Sequence, residues 1–309
     1  MSTALPGPLR SGDRVGIVAP SGPVDEARLD RGLLEVERLG LVPSAPASVR
    51  ARDGLHAGPD AARAADLQAA FAAPGLRAVW AARGGHGLLP LLPRLDLGAM
   101  ARADRLLIGY SDLTALALAL SSGLAPFAWL HAPMVAELGA EPPTHDAPSL
   151  EAGLFGSHPG GRQEVGGLTS VQTGATRGLI VGGCLSLIVA SLGTPWQPNL
   201  AGRILFFEEV GEEPYRLDRM LWQLRLAGCF AGLAGMVVGQ LIDCESRGAA
   251  PGSTIPSAAE VVARHAAAVA GPVVMGLPAG HGPGRVSIPL GVPVELDARA
   301  GAVLFQHRP

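Results

Sequence analysis

The chain contains no lysine; all 24 basic residues are arginine. Alanine, glycine and proline are abundant, so this absence reads as the bias of a GC-rich coding sequence and assigns no role to any one arginine. Aromatic residues are scarce, at 4%. The core must therefore rest on Leu, Val, Ile and Ala, and a hydrophobic fraction of 48% is ample for a folded globular protein. Strong charge of either sign is missing. A formal net charge of -3 argues against a general nucleic-acid binder or a binder of anionic membranes. The three cysteines, Cys184, Cys229 and Cys244, are far apart and odd in number. They offer neither metal-ligand spacing nor a disulfide framework, and are expected as buried thiols in a reducing compartment. Gly, Pro or charge interrupts every apolar run before membrane-spanning length. Met1 to Asp13 has no apolar signal core. These absences lead to the expectation of a soluble, cytoplasmic protein. At 309 residues the chain is large for a single core, and two domains are expected.

What is present is an alternation of strand-like and helix-like segments. Val15–Ala19 is a short apolar run ending in Pro20-Ser21-Gly22. Glu26–Leu39 and Ala61–Phe71 carry apolar residues at helical spacing. Ala78–Ala82 reads as a buried strand stopped by Arg83-Gly84-Gly85-His86-Gly87. Leu106–Ile108 reads as another, with a helix over Leu113–Leu120, and Phe127–Leu130 as one more strand. Such alternation predicts a parallel sheet covered on both faces, with active groups at the carboxyl ends of its strands. The turns at Ser21, Gly84-Gly85 and Ser111 should share one edge. Gly139–Gly167 is rich in Pro and Gly and reads as an inter-domain connection, partly ordered, with His145 and His158 solvated within it. Beyond it, strands are expected at 179–181, 204–207, 236–238, 273–275, 286–288, 292–296 and 303–305. Helices are expected at 214–226 and 258–269. The resulting division is 1–140, a connection at 141–167, and 168–309.

Gly109-Tyr110-Ser111-Asp112 carries the most chemistry. A strand that stops on Gly-x-Ser and turns at once into a helix presents one hydroxyl at a sheet edge, with backbone N–H groups of the helix start beside it. On this stretch alone, helix capping by Ser111 or Asp112 is the plainer reading. A nucleophilic serine would need a base. His56, His265 and His307 have little to recommend them, whereas His86 and His131 lie at strand ends and stay open. His281 stands apart, in the glycine-rich loop Gly276–Gly284 directly after a strand. On spacing alone an ordinary loop histidine remains the plainer reading there too. For the acid that orients the base, Glu212 and Glu213 precede a helix whose dipole explains them. Glu208 ends an apolar strand and has a weaker structural excuse. Gly84-Gly85-x-Gly87 is not a dinucleotide fingerprint, but its turn could supply an oxyanion donor. Gly109-x-Ser111-x-Leu113 lacks the last glycine of the α/β-hydrolase elbow, which disfavours that superfamily.

Taken together, these residues resemble the LD-carboxypeptidases, serine peptidases that act on murein tetrapeptides. Val18-Ala19-Pro20-Ser21-Gly22 looks like the family's first strand and turn, and Arg83-Gly84-Gly85-His86-Gly87 resembles its Arg-Gly-Gly-Tyr-Gly. Ile108-Gly109-Tyr110-Ser111-Asp112 resembles its nucleophile turn. Leu192-Gly193-Thr194-Pro195-Trp196, Glu208 through Pro214-Tyr215-Arg216 to Arg219-Met220-Leu221, and Gly280-His281 with Ile288-Pro289-Leu290-Gly291 follow in the family's order. The resemblance implies an α/β protein with a Rossmann-like N-terminal domain and a smaller, swivelling β/α C-terminal domain. It implies a catalytic triad falling on Ser111, His281 and Glu208, and a homodimer with the site at the domain junction. The N–H groups of Asp112 and Gly85 are the expected oxyanion donors. The expected activity is release of terminal D-Ala from a small murein tetrapeptide in cytoplasmic peptidoglycan recycling, with no metal or cofactor and no nucleic-acid or membrane partner. The alternative is the family's microcin-immunity branch, which hydrolyses aminoacyl-adenylate-like amides. A non-catalytic peptide- or sugar-binding module is disfavoured because all three triad residue types are present. His86 stands where the family commonly has Tyr and Cys184 where it often has Asn, which bears on substrate preference more than on chemistry.

Overall fold

The structure, a computed structural model, describes residues 4–121, 126–248 and 254–307. The first part of the chain alternates as the apolar periodicity requires. Strands β1 (Arg14–Val18), β2 (Val42–Ser44), β3 (Leu76–Ala81), β4 (Leu106–Gly109) and β5 (Trp129–His131) are interleaved with helices α1 (Glu26–Arg38), α2 (Asp60–Ala72), α3 (Leu97–Arg102) and α4 (Leu113–Leu120). A short helix, α5 (Val135–Leu138), follows β5. The strands pair in parallel in the order β5-β4-β3-β1-β2, and all but the edge strand β2 are largely buried on both faces. From β1 the chain goes first to β2 on one side and then crosses to β3 on the other. The loops leaving β1 and β3 therefore diverge at the carboxyl edge, which opens the crevice where such sheets hold ligands.

The proline-rich stretch is more ordered than its composition predicts. It contains helix α6 (Ala147–Phe155) and strand β6 (Arg162–Val165). Asp146 caps α6 by accepting from Ser149 N at 2.7 Å, Pro148 lies in the first turn, and Leu150 and Leu154 are buried. His145 and His158, expected in solvent, are half-buried instead. The ring of His158 lies 4.3 Å from that of His307, tilted by 40°.

The remainder forms strands β7 (Thr169–Gln172), β8 (Ala175–Cys184), β9 (Arg203–Val210), β10 (Gly235–Ile242), β11 (Val273–Met275), β12 (Ile288–Leu290), β13 (Pro293–Asp297) and β14 (Ala302–Gln306). Its helices are α7 (Leu185–Ala190), α8 (Pro214–Leu226) and α9 (Ala258–Ala266). Strands β8 to β11 are parallel neighbours. They sit inside an eight-stranded sheet of order β6-β14-β13-β8-β9-β10-β11-β7, whose other pairings are antiparallel. Strand β12, expected at 286–288, forms two residues later and pairs antiparallel with β5 of the first sheet. Among the described residues no helix is long and apolar enough to cross a membrane.

Successive residues of a strand point to opposite faces, and in β9 this period decides the chemistry. Ile204 and Phe206 belong to the core that runs on into the first sheet, whereas Leu205 and Phe207 belong to the core under α7, α8 and α9. By the same alternation Glu208 faces the first domain and Glu209 faces the helices.

Candidate active site

Ser111 sits between β4 and α4 with φ of +59°, a left-handed conformation that is rare for a residue with a side chain. Strain of this kind is worth about 1–3 kcal/mol and persists only where the surroundings enforce it. Here the enforcement comes from tight packing. A β-carbon at Gly109 would come within 2.7 Å of Leu113, and one at Gly84 within 3.2 Å of Ser111 Cβ. Helix α4 is buried along its whole length, so the turn cannot shift outward.

Asp112 occupies the cap position of α4, yet its side chain does not cap the helix. Its buried Oδ2 accepts from Ser21 Oγ at 2.6 Å and from Leu88 N at 2.9 Å. One carboxylate thus ties together the loops that follow β1, β3 and β4. Burial raises its pKa, and the bonds from Ser21 and Leu88 oppose that rise. A backbone bond from Gly22 N to Gly84 O at 2.9 Å closes the same edge. Gly85 adopts φ of +108°, within 3.2 Å of Gly22 Cα at its β-carbon position. Among the described residues neither the Asp112 nor the Gly85 N–H donates to another group.

The other two groups arrive from the second domain. His281 Nε2 lies 3.1 Å from Ser111 Oγ, and His281 Nδ1 lies 2.6 Å from Glu208 Oε2. Glu208 is fully buried, with Oε1 unpartnered among the described residues. Two glycines make room for it. A β-carbon at Gly239 would lie 3.0 Å from Glu208 Cβ, and one at Gly280 would lie 2.9 Å from Glu208 Oε2. Burial pushes the Glu208 carboxyl above its ordinary pKa, against the pull of His281. For His281, burial pulls downward, but the Glu208 hydrogen bond and charge outweigh it and the net shift is upward. An ionised carboxylate only accepts hydrogen bonds, so Glu208 fixes the proton of neutral His281 on Nδ1 and leaves Nε2 to face the serine as an acceptor.

Beside this line of three groups lies a cavity of about 650 Å³, within the range of small-molecule sites. Arg28, Arg52 and Arg83 line it, together with Gly84, Gly85, Tyr110, Ser111, Glu137 and His281. Arg83 and Arg52 are held by the carbonyls of Pro23 and Val24, at 2.6 and 2.8 Å.

The remaining candidates fall elsewhere. His131 is fully buried against Tyr110, Trp129 and Phe206, and burial lowers its pKa to about 3, so it stays neutral. His86 is exposed, with its ring 5.6 Å from that of His56. His265 is bound to Asp218 at 2.9 Å and His307 to Gln163 at 3.0 Å. Glu212 pairs with Arg216 on the surface. Cys184, Cys229 and Cys244 are buried free thiols. Sequence reasoning missed Glu209, whose buried carboxylate accepts from Ser186 N at 2.7 Å at the start of α7. It also gave no role to Glu137 or Arg285, which flank the histidine. A cation four residues after a candidate base, in a loop of glycines, was the available signal.

A hydroxyl, an imidazole and a buried carboxylate in one hydrogen-bonded line, beside a cavity at the junction of two α/β domains, form the arrangement that serine hydrolases use. More narrowly, the chain belongs to the LD-carboxypeptidase family of peptidases. That family's N-terminal domain matches residues 15–128 and its C-terminal domain residues 177–296. The murein tetrapeptide carboxypeptidase of Pseudomonas aeruginosa is 32% identical over 298 residues, covering 92% of this chain and 93% of its own. The crystal structure of muramoyltetrapeptide carboxypeptidase from Oxalobacter formigenes superposes with a TM-score of 0.82 at 26% identity, over 94% of this chain and 97% of that one. The microcin C7 self-immunity protein MccF, in complex with glutamyl sulfamoyl guanosine, shares the fold with a TM-score of 0.86 at 22% identity, over 99% of both chains.

Proposed function

We propose that Ser111, His281 and Glu208 are the catalytic triad of an LD-carboxypeptidase that releases the terminal D-Ala of murein tetrapeptides. The observation that carries this reading is the unbroken hydrogen-bonded line from Ser111 Oγ through His281 to Glu208. Its members come from three separate elements, and no structural need of any one of them explains the alignment.

In this reading Ser111 Oγ attacks the carbonyl carbon of the amide before the D-residue while His281 Nε2 takes the serine proton. The imidazolium that forms is stabilised by Glu208, whose charge faces it across a single hydrogen bond. The developing oxyanion is received by the N–H groups of Asp112 and Gly85. Loss of one such donor raises the barrier by roughly 3 kcal/mol. The tetrahedral intermediate collapses as His281 returns its proton to the departing amine, and D-Ala leaves. Water, deprotonated by the same histidine, then resolves the acyl-enzyme.

The arginines of the cavity suit an anionic peptide that ends in a carboxylate. The second reading, an amide hydrolase of the microcin-immunity type, has the support of the MccF fold. A nucleobase would want an exposed aromatic surface. The aromatic ring lining this cavity is Tyr110, which is buried with its hydroxyl bound to Glu137 at 2.8 Å. The peptide reading is therefore preferred. It extends to a division of the chain at 1–140 and 168–309 about a connection at 141–167, to a homodimer and to a place in cytoplasmic peptidoglycan recycling. The family resemblance is the support for all three.

Mass spectra of products from defined tetrapeptides test the reading. Peptides ending in D-Ala should lose that residue, and their L-Ala epimers should not. Preferential turnover of an aminoacyl sulfamoyl nucleoside over every tetrapeptide would install the second reading.

A further inference from the structure

His281 lies in a stretch, 276–287, without regular secondary structure and with glycine at 276, 280, 282 and 284. Such a backbone does not hold an imidazole in place unaided. Gln240 ties part of it, accepting from Gly282 N at 2.8 Å and donating to Pro283 O at 3.0 Å. Backbone bonds anchor its ends, among them Gly276 N to Val238 O at 3.0 Å, Gln240 N to Ala279 O at 2.9 Å and Asp146 N to Arg285 O at 2.9 Å, and a further side-chain tie is Arg285. Its guanidinium is almost wholly buried, with 6% of the side chain exposed, and it donates to the carbonyls of Gly282 at 3.3 Å and of His281 itself at 3.5 Å.

The same guanidinium reaches into the first domain. It pairs with Glu137 Oε1 at 2.9 Å, donates to Thr144 Oγ1 at 3.0 Å and lies over the ring of Tyr110 at 5.2 Å. Glu137 in turn accepts from Tyr110 hydroxyl at 2.8 Å and from Met134 N at 2.8 Å. The Tyr110 ring meets that of His281 edge-on, with centroids 4.8 Å apart, and Tyr110 is the residue before Ser111. The contacts close a circuit that runs from the His281 backbone through Arg285, Glu137 and Tyr110 to Ser111, and back through the Ser111–His281 hydrogen bond.

We propose that Arg285 is a positioning residue that couples docking of the two domains to the reach of His281 for Ser111. It touches neither reacting atom. It joins the main chain that carries the base to the carboxylate and phenol behind the nucleophile, so the base is aligned only when the domains are seated. Burial suits this use. A buried guanidinium loses much when its partner is removed, and its hydrogen-bond geometry specifies a single arrangement. This inference rests on the triad reading above and adds to it the element that sets the alignment.

The test uses the whole chain with R285M, R285K and E137Q. Active sites are titrated with a fluorophosphonate, Ser111 labelling is timed by intact mass, and kcat and KM for a D-Ala tetrapeptide are expressed per titrated site. Misplacement by about 1 Å can cost about 10²-fold, so R285M should lose roughly 30- to 100-fold in kcat with KM within about threefold. Labelling should slow by a similar factor. R285K should recover part of the loss, and millimolar guanidinium should partly rescue R285M. E137Q should fall between R285M and the parent. A purely structural arginine would lower thermal stability and the number of titrated sites but leave kcat per site within threefold of the parent, and that result overturns the proposal. If R285M does not fold, R285K and E137Q decide by the same per-site readout. If the parent cleaves no tetrapeptide, the peptidase reading fails, while labelling rates still decide the role of Arg285.

Discussion

The edge that presents Ser111 and the loop that presents His281 are held by opposite means. The serine sits in a strand–turn–helix whose geometry is enforced locally, by a left-handed φ of +59°, a fully buried α4 and the Asp112 carboxylate that gathers three neighbouring loops. The histidine sits on a glycine-rich segment held by backbone bonds and by scattered side chains: Glu208 on β9, Gln240 on β10, and its own Arg285 with partners in the first domain. The first arrangement is a property of one stretch of sequence. The second gathers several strands of its own domain, and its Arg285 tie exists only after both domains have met. With the proposed triad, a site divided this way would pair a rigid nucleophile with a base whose alignment depends on docking.

Substitutions at the histidine end sharpen that contrast. Glu208→Gln should cost roughly 10⁴-fold in kcat, since an amide neither fixes the tautomer nor stabilises the imidazolium. The pH profile should move as well. His281 must be neutral to accept the serine proton, and its pKa is raised, so parent activity falls away as pH drops through an inflection above about 6.5. Glu208 supplies the main upward influences while burial pulls down, so the inflection in Glu208→Gln should shift to lower pH. An unmoved inflection would separate Glu208 from the base.

Gly280→Ala is the next largest. Its φ of +143° and the 2.9 Å approach of a β-carbon to Glu208 Oε2 combine backbone strain with displacement of the carboxylate. Steady-state kinetics should show kcat reduced by about 10- to 100-fold if the carboxylate moves by about 1 Å. Near-parental kcat would mean that the loop is softer than its contacts indicate.

Glu209→Gln provides the control for its neighbour. Glu209 accepts from Ser186 N at the start of α7 and faces away from His281, so kcat should stay within about threefold of the parent while urea unfolding loses about 1 kcal/mol. A loss of activity on the scale of Glu208→Gln would contradict the two-face account of β9. Smallest of all, His131→Phe should leave the acid inflection in place, because a histidine titrating at about 3 is neutral throughout the working range.

Much of this was legible in the residues, for reasons that differ by element. The helix at 214–226 and the strand at 273–275 coincide with Pro214–Leu226 and Val273–Met275, since proline in a first turn and a short β-branched run are local signals. Glu208 stands out over Glu212 because it directly follows the apolar run 204–207, although β9 does not end there but continues to Val210. Helix α6 is not legible in the sequence, because Pro148 and Gly153 mask a short periodicity whose burial comes from tertiary packing. The strand expected at 286–288 forms at Ile288–Leu290 and pairs with β5, because local sequence does not say which neighbour a three-residue strand will find. The Arg285–Glu137 pair joins residues 148 positions apart by subtraction of their numbers, and no spacing rule reports such a contact. Local order is written locally. The alignment of the base is a product of the assembled fold.

The most direct test of the account is the rate of D-Ala release from a defined murein tetrapeptide by purified Ser111→Ala beside the parent chain. The account predicts release by the parent and, in the variant, a kcat lower by roughly 10⁵- to 10⁶-fold. Release by Ser111→Ala at the parental rate would contradict it.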